Sequence, residues 1–395
     1  MYIKKQLFEL QNRIQEKSHL IQVITGPRQV GKTTLATQLV ERIKIPYSFI
    51  SADAVPSSLS TWIEQHWEAA RIKLKNYNAE SFLLIIDEIQ KIHNWSEVVK
   101  KLYDQDRRNK INLKVILLGS STLMITKGLT ESLTGRFELI QLPHWTYSEM
   151  HEAFGLTPEQ FVYFGSYPGS ASFISDEKRW RDYILNSIIE PTISKDILQL
   201  TAIQKPALLK SFFEHACLYN SEIYSYNKML GQLLDAGNTT TLSHYQRLLD
   251  SAWMITGLQK FSGSTVKIKS STPKLLTYNT AFVSVYSNVD FASVITKPEL
   301  WGRRVEQSVG AYLLNQSRVN NFDLFYWREG NAEVDFVLRK NKRIVTVEVK
   351  SGKVKYHEGL EIFKRKYKPS KSILISEEAL PWQDFLKLEV DKLFE

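Results

Sequence analysis

The chain is poor in cysteine and has no long apolar run. Its 395 residues include one cysteine, Cys217, which excludes a disulfide within the chain. A membrane-spanning helix needs roughly 20 apolar residues, whereas the run at 82–86 is interrupted at once by Asp87. Residues 1–9 lack the apolar core of a signal peptide. We therefore expect no membrane partner and a reducing, cytoplasmic location.

Length and charge limit the remaining classes. The chain is 43% hydrophobic, so at this length we expect two to four domains with cores of their own. Lys and Arg number 51 against 42 Asp and Glu, a formal net charge of +9. This excess suits a nucleic-acid partner, although many ordinary proteins share it.

A glycine-rich stretch near the amino terminus fits the pattern G-x-x-x-x-G-K-[ST]. Apolar residues 20–24 predict a strand before it, and Leu35, Leu39 and Val40 predict a helix after it. Such a loop binds polyphosphate through backbone N–H groups and the positive end of the helix. Lys32 would reach the β- and γ-phosphates, and Thr33 would hold Mg²⁺. The predicted nucleotide-binding residues are Gly26, Pro27, Arg28, Gln29, Val30, Gly31, Lys32, Thr33 and Thr34.

Two carboxylates follow a predicted buried strand at 81–86. Ligands bind at the carboxyl ends of strands in α/β folds, so Asp87 is a candidate Mg²⁺ ligand and Glu88 a candidate catalytic base that polarises water. The alternative is a buried strand that ends in a solvated acidic turn. The phosphate loop upstream favours the catalytic interpretation.

Further polar residues follow a third predicted strand at 114–118. Ser120 or Ser121 could contact the γ-phosphate or the attacking water, and a simple helix cap is an equal alternative. Arg136 is a candidate arginine acting on a neighbour's nucleotide, against the alternative of a surface arginine in a turn.

These motifs resemble the AAA-type P-loop ATPases. They are more closely similar to an archaeal-ATPase-like prokaryotic family, in which the ATPase is fused to a poorly characterised C-terminal region. The matching stretches are 26–33, 86–90, 118–121, 133–136 and 142–143. The resemblance implies a sensor role for the serines, including Ser120, and a finger-like role for Arg136. No Asn-Lys-x-Asp motif for reading guanine occurs, which favours ATP over GTP.

The middle of the chain is predicted to be helical. Residues 148–204 are expected to form a lid on the ATPase core. Three helices and a basic strand-turn-strand wing at 261–269, with Lys274 beyond it, resemble a winged helix-turn-helix. Its last helix carries His244, Gln246 and Arg247, and a protein-binding or spacer role is the alternative.

The C-terminal region is predicted to contain a helix, three strands, a helix and a strand. Strand alternation places Glu333 and Asp335 on one face of their strand, and Glu348 and Lys350 on one face of the next. Carboxylates can hold Mg²⁺ or Mn²⁺, and a lysine can orient the attacking water in phosphodiester hydrolysis. Glu306 could complete the site from the first helix. The alternative is a solvated face with complementary charges.

This arrangement resembles the PD-(D/E)XK restriction-endonuclease-like fold. The resemblance implies that Asp335 and Glu348 are metal ligands, that Lys350 is the catalytic lysine, and that Glu306 is the helical acid. Val334 stands where the family has proline. The basic residues after the site, among them Lys353 and Lys364, suit a phosphate backbone, or simply a solvated helix.

We therefore expect an α/β protein with an ATPase core (1–147), a helical lid (148–204), a winged helix (205–290) and a nuclease-like domain (298–395). The expected partners are ATP and nucleic acid, DNA rather than RNA, and a homo-oligomer is one option. The alternative function is an ATP-dependent switch that controls a protein partner through a non-catalytic C-terminal domain. A third option is an ATPase that binds ATP only structurally.

Overall fold

The computed structural model describes residues 2–119, 128–129, 131–198, 203, 205–233, 237–262, 271–350, 352 and 357–395. The chain divides into two compact units, Met1–Leu142 and Pro143–Glu395. Within the described ranges, no helix has the length and apolarity to cross a membrane.

The first unit contains a five-stranded parallel sheet in the order β2-β3-β4-β1-β5. Its strands are β1 Ile21–Thr25, β2 Tyr47–Ser51, β3 Phe82–Asp87, β4 Leu113–Gly119 and β5 Phe137–Gln141. The helices are α1 Lys5–Gln15, α2 Lys32–Val40, α3 Thr61–Asn76 and α4 Trp95–Asn109. Every residue of β1, β3 and β4 is buried, which explains why these strands are almost continuous apolar runs. The predicted strands and helices of this unit are confirmed.

The parallel register places the functional segments on one edge of this sheet. Because β1, β3 and β4 run in the same direction, their carboxyl ends at Thr25, Asp87 and Gly119 share that edge. Residue 137 pairs with Ile21, so the amino end of β5 lies at the opposite edge.

The second unit combines a helical layer with a six-stranded mixed sheet in the order β11-β10-β9-β8-β6-β7. Its strands are β6 Ile255–Lys260, β7 Lys274–Thr277, β8 Asp323–Glu329, β9 Ala332–Lys340, β10 Arg343–Val349 and β11 Lys371–Ile375. The helices are α5 Tyr147–Phe154, α6 Pro158–Phe164, α7 Glu177–Tyr183, α8 Pro206–Leu218, α9 Tyr226–Leu230, α10 Thr239–Ser251, α11 Thr280–Tyr286, α12 Phe291–Ile295, α13 Pro298–Asn320, α14 Glu358–Tyr367 and α15 Trp382–Phe385. The predicted order of helix, three strands, helix and strand is confirmed by α13 to β11.

Strands β6 and β7 differ from the predicted wing. The sequence analysis placed the two strands at 261–269, whereas the structure has them on either side of that segment, and residues 263–270 lie outside the described residues. The strands pair with each other in antiparallel fashion, and β6 also pairs in parallel with β8. The hairpin of β6 and β7 thus extends the C-terminal sheet, because the edge of β6 that does not pair with β7 pairs with β8.

The helices predicted as a lid also pack within the second unit. Tyr147, Met150 and Phe161 share a buried apolar cluster with Val305 and Val309 of α13. Their apolar faces are therefore covered by the helix that opens the C-terminal region, and the predicted boundaries at 204 and 298 do not divide separate cores.

Candidate functional site

The phosphate loop joins β1 to α2 through backbone conformations that only a few residue types can adopt. Gly26 has φ +154°, and a Cβ there would lie 2.1 Å from the carbonyl oxygen of Leu142. Gln29 and Gly31 also have positive φ, +58° and +95°. Gly31 is the N-cap of α2, so the first turn of the helix opens directly from the loop. These conformations explain the spacing of the two glycines.

The side chains of the loop take up distinct environments. The ammonium of Lys32 donates hydrogen bonds to the carbonyl oxygens of Gly26 (3.0 Å) and Pro27 (2.7 Å). Val30 is fully buried and anchors the loop to the core. Thr33 and Thr34 are exposed in the first turn of α2, and Arg28 is half-buried. Lys32 therefore contacts the loop in which the sequence pattern predicts it to bind phosphate.

One hydrogen bond connects the loop to the acidic end of β3. The Thr33 hydroxyl donates to Asp87 Oδ2 at 2.8 Å, although the two residues are 54 positions apart. The two oxygens are the kind of ligands that Mg²⁺ prefers together with phosphate oxygens and water. Thr33 and Asp87 therefore fit the predicted magnesium site.

Asp87 and Glu88 have different environments. Burial raises the pKa of Asp87, partly offset by the hydrogen bond from Thr33, while Glu88 raises it further. Glu88 has left-handed backbone at φ +53°, and its carboxylate accepts a hydrogen bond from the Gln90 amide. This sharp turn directs the chain out of the strand directly after Asp87.

The remaining predicted residues of this site have different outcomes. Ser120 and Ser121 lie outside the described residues. Arg136 precedes β5, and its guanidinium contacts Asp104 through both Nε (2.8 Å) and Nη2 (3.1 Å). It lies at the edge of the sheet opposite the phosphate loop, about 17 Å away for a five-residue strand. This distance puts a nucleotide on the chain's own loop out of its reach.

The predicted C-terminal residues meet on β9, β10 and α13. The backbone N–H of Asp335 donates to Glu348 Oε2 (3.1 Å), and Asp335 Oδ2 accepts from the N–H of Val349 (2.9 Å). Lys350 Nζ lies 2.7 Å from Glu348 Oε1. The strand alternation that the sequence predicted thus brings Asp335, Glu348 and Lys350 together.

Lys274 is the residue of this cluster that the sequence analysis missed. Its side chain is 1% exposed, and Nζ lies 3.0 Å from Glu306 Oε1, 3.3 Å from Asp335 Oδ1 and 3.6 Å from Glu333 Oε1. Burial lowers its pKa, but the three carboxylates outweigh burial and raise it above the usual value. The lysine predicted to belong to a basic wing is therefore a buried counter-ion, because β7 belongs to this sheet.

These neighbours do not fit a divalent metal. An ammonium already lies among Glu306, Glu333 and Asp335, and across the described part of the chain no group of three or more His, Cys, Asp or Glu is placed to hold a metal ion. The predicted metal ligands Glu306, Asp335 and Glu348 thus serve a lysine-carboxylate cluster in this structure.

The titration of this cluster reflects its burial. Burial, with Asp335 second, raises the pKa of Glu306 to about 7 and that of Glu348 to about 8. His357 Nε2 lies 3.1 Å from Glu348 Oε1, and burial lowers the pKa of this histidine. His357 directly precedes α14, and no sequence pattern pointed to it.

The predicted recognition helix offers fewer free side chains than expected. His244 and Arg247 of α10 are exposed, but the Gln246 amide oxygen accepts a hydrogen bond from the Tyr226 hydroxyl. Lys267 and Lys269 of the predicted wing and Lys353 beyond β10 lie outside the described residues.

Three family models match separate parts of the chain. Residues 18–151 match a family described as an AAA domain. Residues 157–292 and 301–389 each match a family described as a domain of unknown function. The third match begins at residue 301, inside α13 and close to the start of the predicted C-terminal domain.

Two similar proteins are described only as uncharacterized. An uncharacterized protein of Methanocaldococcus jannaschii is 24% identical over 398 residues, covering 94% of this chain and 84% of that protein. An uncharacterized protein of Mycobacterium tuberculosis is 25% identical over 337 residues, covering 83% and 69%.

A solved structure is similar to this chain in its fold. The Walker-type ATPase of Pyrococcus abyssi superposes with a TM-score of 0.51 at 14% identity, covering 72% of this chain and 96% of that one. This similarity is one of fold, and the AAA-domain match is confined to residues 18–151, which include the phosphate loop and Asp87.

Proposed function

We propose that the protein binds and hydrolyses ATP at the carboxyl edge of the first sheet. The observation that carries the proposal is the hydrogen bond of 2.8 Å from Thr33 to Asp87, which joins the phosphate loop to the acidic end of β3. Mg²⁺ bound with ATP would be held by these two residues and would neutralise charge on the phosphates.

The roles of the remaining residues follow from their positions. The backbone N–H groups of residues 28–33 would face the phosphates at the start of α2, where the helix dipole favours anions. Lys32 would exchange its carbonyl partners for the β- and γ-phosphates, a better match for a full positive charge. Glu88 would accept a proton from the attacking water, held in place by Gln90.

ATP turnover by single-site variants tests this proposal. Lys32→Ala should weaken ATP binding, and Glu88→Gln should bind ATP yet hydrolyse it about a hundredfold more slowly, since general base catalysis contributes on the order of 10²–10⁴. Glu41→Gln, an exposed glutamate that follows α2, is the matched control and should leave turnover unchanged. Equal rates for the wild type and Glu88→Gln would contradict the role of Glu88 and favour purely structural ATP.

A finer proposal concerns Arg136, which we place at the nucleotide of a neighbouring copy. Two observations support it: its position at the edge away from the chain's own loop, and its partly exposed bidentate pair with Asp104. An arginine held in this way is preorganised to meet developing phosphate charge. A homo-oligomer is then required for full turnover.

A second candidate function is action on nucleic acid, DNA rather than RNA, through the second unit. The net charge of +9 and the meeting of Asp335, Glu348 and Lys350 on two adjacent strands support it. The ammonium of Lys274 pairs with Asp335, which argues against a metal ion there and so against metal-dependent cleavage. The proposal is therefore that the second unit binds nucleic acid. The competing function is control of a protein partner by a non-catalytic second unit.

Binding to labelled DNA and RNA at several salt concentrations separates these candidates. Nucleic-acid action predicts an affinity that falls steeply as salt rises. Metal-dependent nicking of the nucleic acid, if it is lost in Asp335→Ala and in Lys350→Ala, would show that the second unit is also a nuclease. ATP turnover without nucleic-acid affinity at low salt would favour the protein-partner switch.

A further inference from the structure

Two turns of the second unit meet at one edge of its six-stranded sheet. Strand β9 turns back into β10 at residues 341–342, and Arg343 opens β10. The turn from α14 into β11 lies beside it, because Ser370 donates both its backbone N–H and its hydroxyl to the carbonyl oxygen of Ile344, each at 2.8 Å. The two turns therefore form one continuous surface at the amino ends of β10 and β11.

Four cations on this surface have no counter-charge. They are named here the basic edge and are Lys342, Arg343, Lys368 and Lys371, all of them exposed. Within the described ranges, none of the four forms an ion pair with a carboxylate. Lys371 Nζ lies 3.3 Å from the carbonyl oxygen of Lys392, which is a neutral acceptor. The basic edge therefore presents four positive charges to solvent.

The carboxylates on the adjoining elements are already engaged by other cations. These pairs are Asp323 with Arg339 at 2.8 Å, Asp391 with Lys340 at 2.8 Å, Glu361 with Lys364 at 2.6 Å and Glu389 with Lys392 at 3.1 Å. The exposed side chain of Glu395 forms no ion pair among the described residues, and it can offset only one of the four charges. A positive excess thus remains at the basic edge.

The fold holds these like charges close together. Val345 and Lys371 are register partners, so Arg343 and Lys371 lie on the same face of neighbouring strands. Their Cα atoms are about 8 Å apart by strand geometry, which is no more than a Debye length at physiological salt. Lys368 has left-handed backbone at φ +47°, a conformation that favours glycine. Neither feature benefits the fold, and both suit a surface that contacts a polyanion.

We propose that the basic edge binds the phosphate backbone of duplex DNA without reading its bases. This inference rests on the proposed action of the second unit on nucleic acid and names where the contact occurs. Duplex DNA carries one negative charge per roughly 1.7 Å of its axis, so long lysine and arginine side chains can reach several phosphates. The turns at 341–342 and 368–370 carry no aromatic side chain on which the bases of a single strand could stack. They also lack the large aromatic anchors on which protein interfaces often centre.

The basic edge is distinct from the carboxylate cluster on the same sheet. Glu348 lies five residues along β10 from Arg343, a separation of about 17 Å at the rise of a strand. The contact with DNA therefore requires no metal ion and no change in the ion pairs around Lys274.

Fluorescence anisotropy of a labelled duplex, titrated with the full-length protein at several salt concentrations and without nucleotide, tests the proposal. The edge variant carries Lys342→Gln, Arg343→Gln, Lys368→Gln and Lys371→Gln. It should bind at least about tenfold more weakly at low salt, and the slope of log affinity against log salt should fall by about 3–4, since each phosphate contact contributes about 0.9. The matched control removes four charges from exposed lysines elsewhere in the second unit and should keep the slope; its changes are Lys178→Gln, Lys210→Gln, Lys228→Gln and Lys387→Gln.

A single substitution separates binding from folding. Lys368→Gly removes one charge and relieves the left-handed backbone, so it should unfold at the same temperature as the wild type or higher while the salt slope falls by about one.

The outcomes distinguish this inference from the function on which it rests. DNA binding that is equal in the edge variant and the matched control would overturn the basic edge and leave nucleic-acid binding by the second unit standing. A wild type that does not bind DNA at low salt would overturn both. Equal affinity for polyglutamate or for vesicles of anionic lipid, or tighter binding to single-stranded DNA, would overturn the assignment to a duplex backbone.

Discussion

Gly26 illustrates how a single residue limits the shape of the phosphate loop. We predict that Gly26→Ala destabilises the first unit by roughly 2–4 kcal/mol and weakens ATP binding, because its Cβ would meet the Leu142 carbonyl at 2.1 Å and φ is +154°. Urea unfolding and nucleotide titration would measure both effects.

A second glycine provides the control for Gly26. Gly135 also has positive φ, +77°, but a Cβ there would have no atom within 4 Å. Gly135→Ala should therefore cost only about 1 kcal/mol of backbone strain. If the two variants lose equal stability, crowding by Leu142 is not the cause.

Lys274 is the residue on which the charge balance of the C-terminal cluster depends. We predict that Lys274→Met destabilises the second unit by about 3–5 kcal/mol at neutral pH, because Glu306, Glu333 and Asp335 lose their ammonium. Chemical unfolding monitored by tryptophan fluorescence would measure this loss. Lys210→Met, which removes an exposed pair with Glu190, should cost less than about 1 kcal/mol.

The pH dependence of Lys274→Met gives a second check. The carboxyl of Glu306 has a folded pKa of about 7 against an ordinary value of 4.5, so the folded unit holds the extra proton between these pH values. Its stability therefore falls as pH rises through that window. Without the ammonium the folded pKa rises further, so the loss caused by the substitution should shrink at acidic pH. A loss independent of pH would point to packing instead of charge.

At the scale of elements, local patterns predicted most of what the structure contains. The apolar runs of β1, β3 and β4 placed these strands within about two residues of their observed ends, and the periodicity at 300–316 predicted α13, which continues to Asn320. The loop between β1 and α2 was predictable because its chemistry is contained in consecutive residues.

Contacts between residues on different elements were harder to predict from the sequence. Lys274 precedes Asp335 by 61 positions, and its role depends on β6 pairing with β8, which no local pattern encodes. Conversely, Asp335, Glu348 and Lys350 were found because alternation along neighbouring strands is a local property.

The ion pair between Asp104 of α4 and Arg136, just before β5, offers a prediction about assembly. Arg136→Ala and Asp104→Asn both break the same partly exposed pair, which should cost less than about 1 kcal/mol in either case. If Arg136 acts on a neighbour's nucleotide, Arg136→Ala should lower ATP turnover by on the order of a thousandfold, whereas Asp104→Asn should lower it only modestly.

Dependence on protein concentration separates the two explanations for Arg136. Turnover per chain of the wild type should rise as copies assemble, and that rise should disappear in Arg136→Ala. An equal and concentration-independent loss in both variants would assign the arginine a structural role.

At the scale of the molecule, the two units should separate cleanly at residue 142. We predict that fragment 143–395 folds alone, whereas 298–395 does not, because the shorter fragment lacks β6, β7 and Lys274 while keeping the carboxylates that Lys274 contacts. Circular dichroism and size-exclusion chromatography would distinguish a folded monomer from an unfolded or aggregated chain. A cooperative unfolding transition for 298–395 would contradict this view.

The position of Lys274 also has a consequence for synthesis on the ribosome. The first unit is complete once Leu142 has emerged, and it can fold while the rest of the chain is being made. The hairpin of β6 and β7 emerges later, after helices α5 to α10, and the strand carrying Asp335 follows the hairpin only some 60 residues later. At roughly 5–20 residues per second, this leaves several seconds in which Lys274 has no carboxylate cluster to enter. That interval is when the nascent second unit is most open to chaperones and to aggregation.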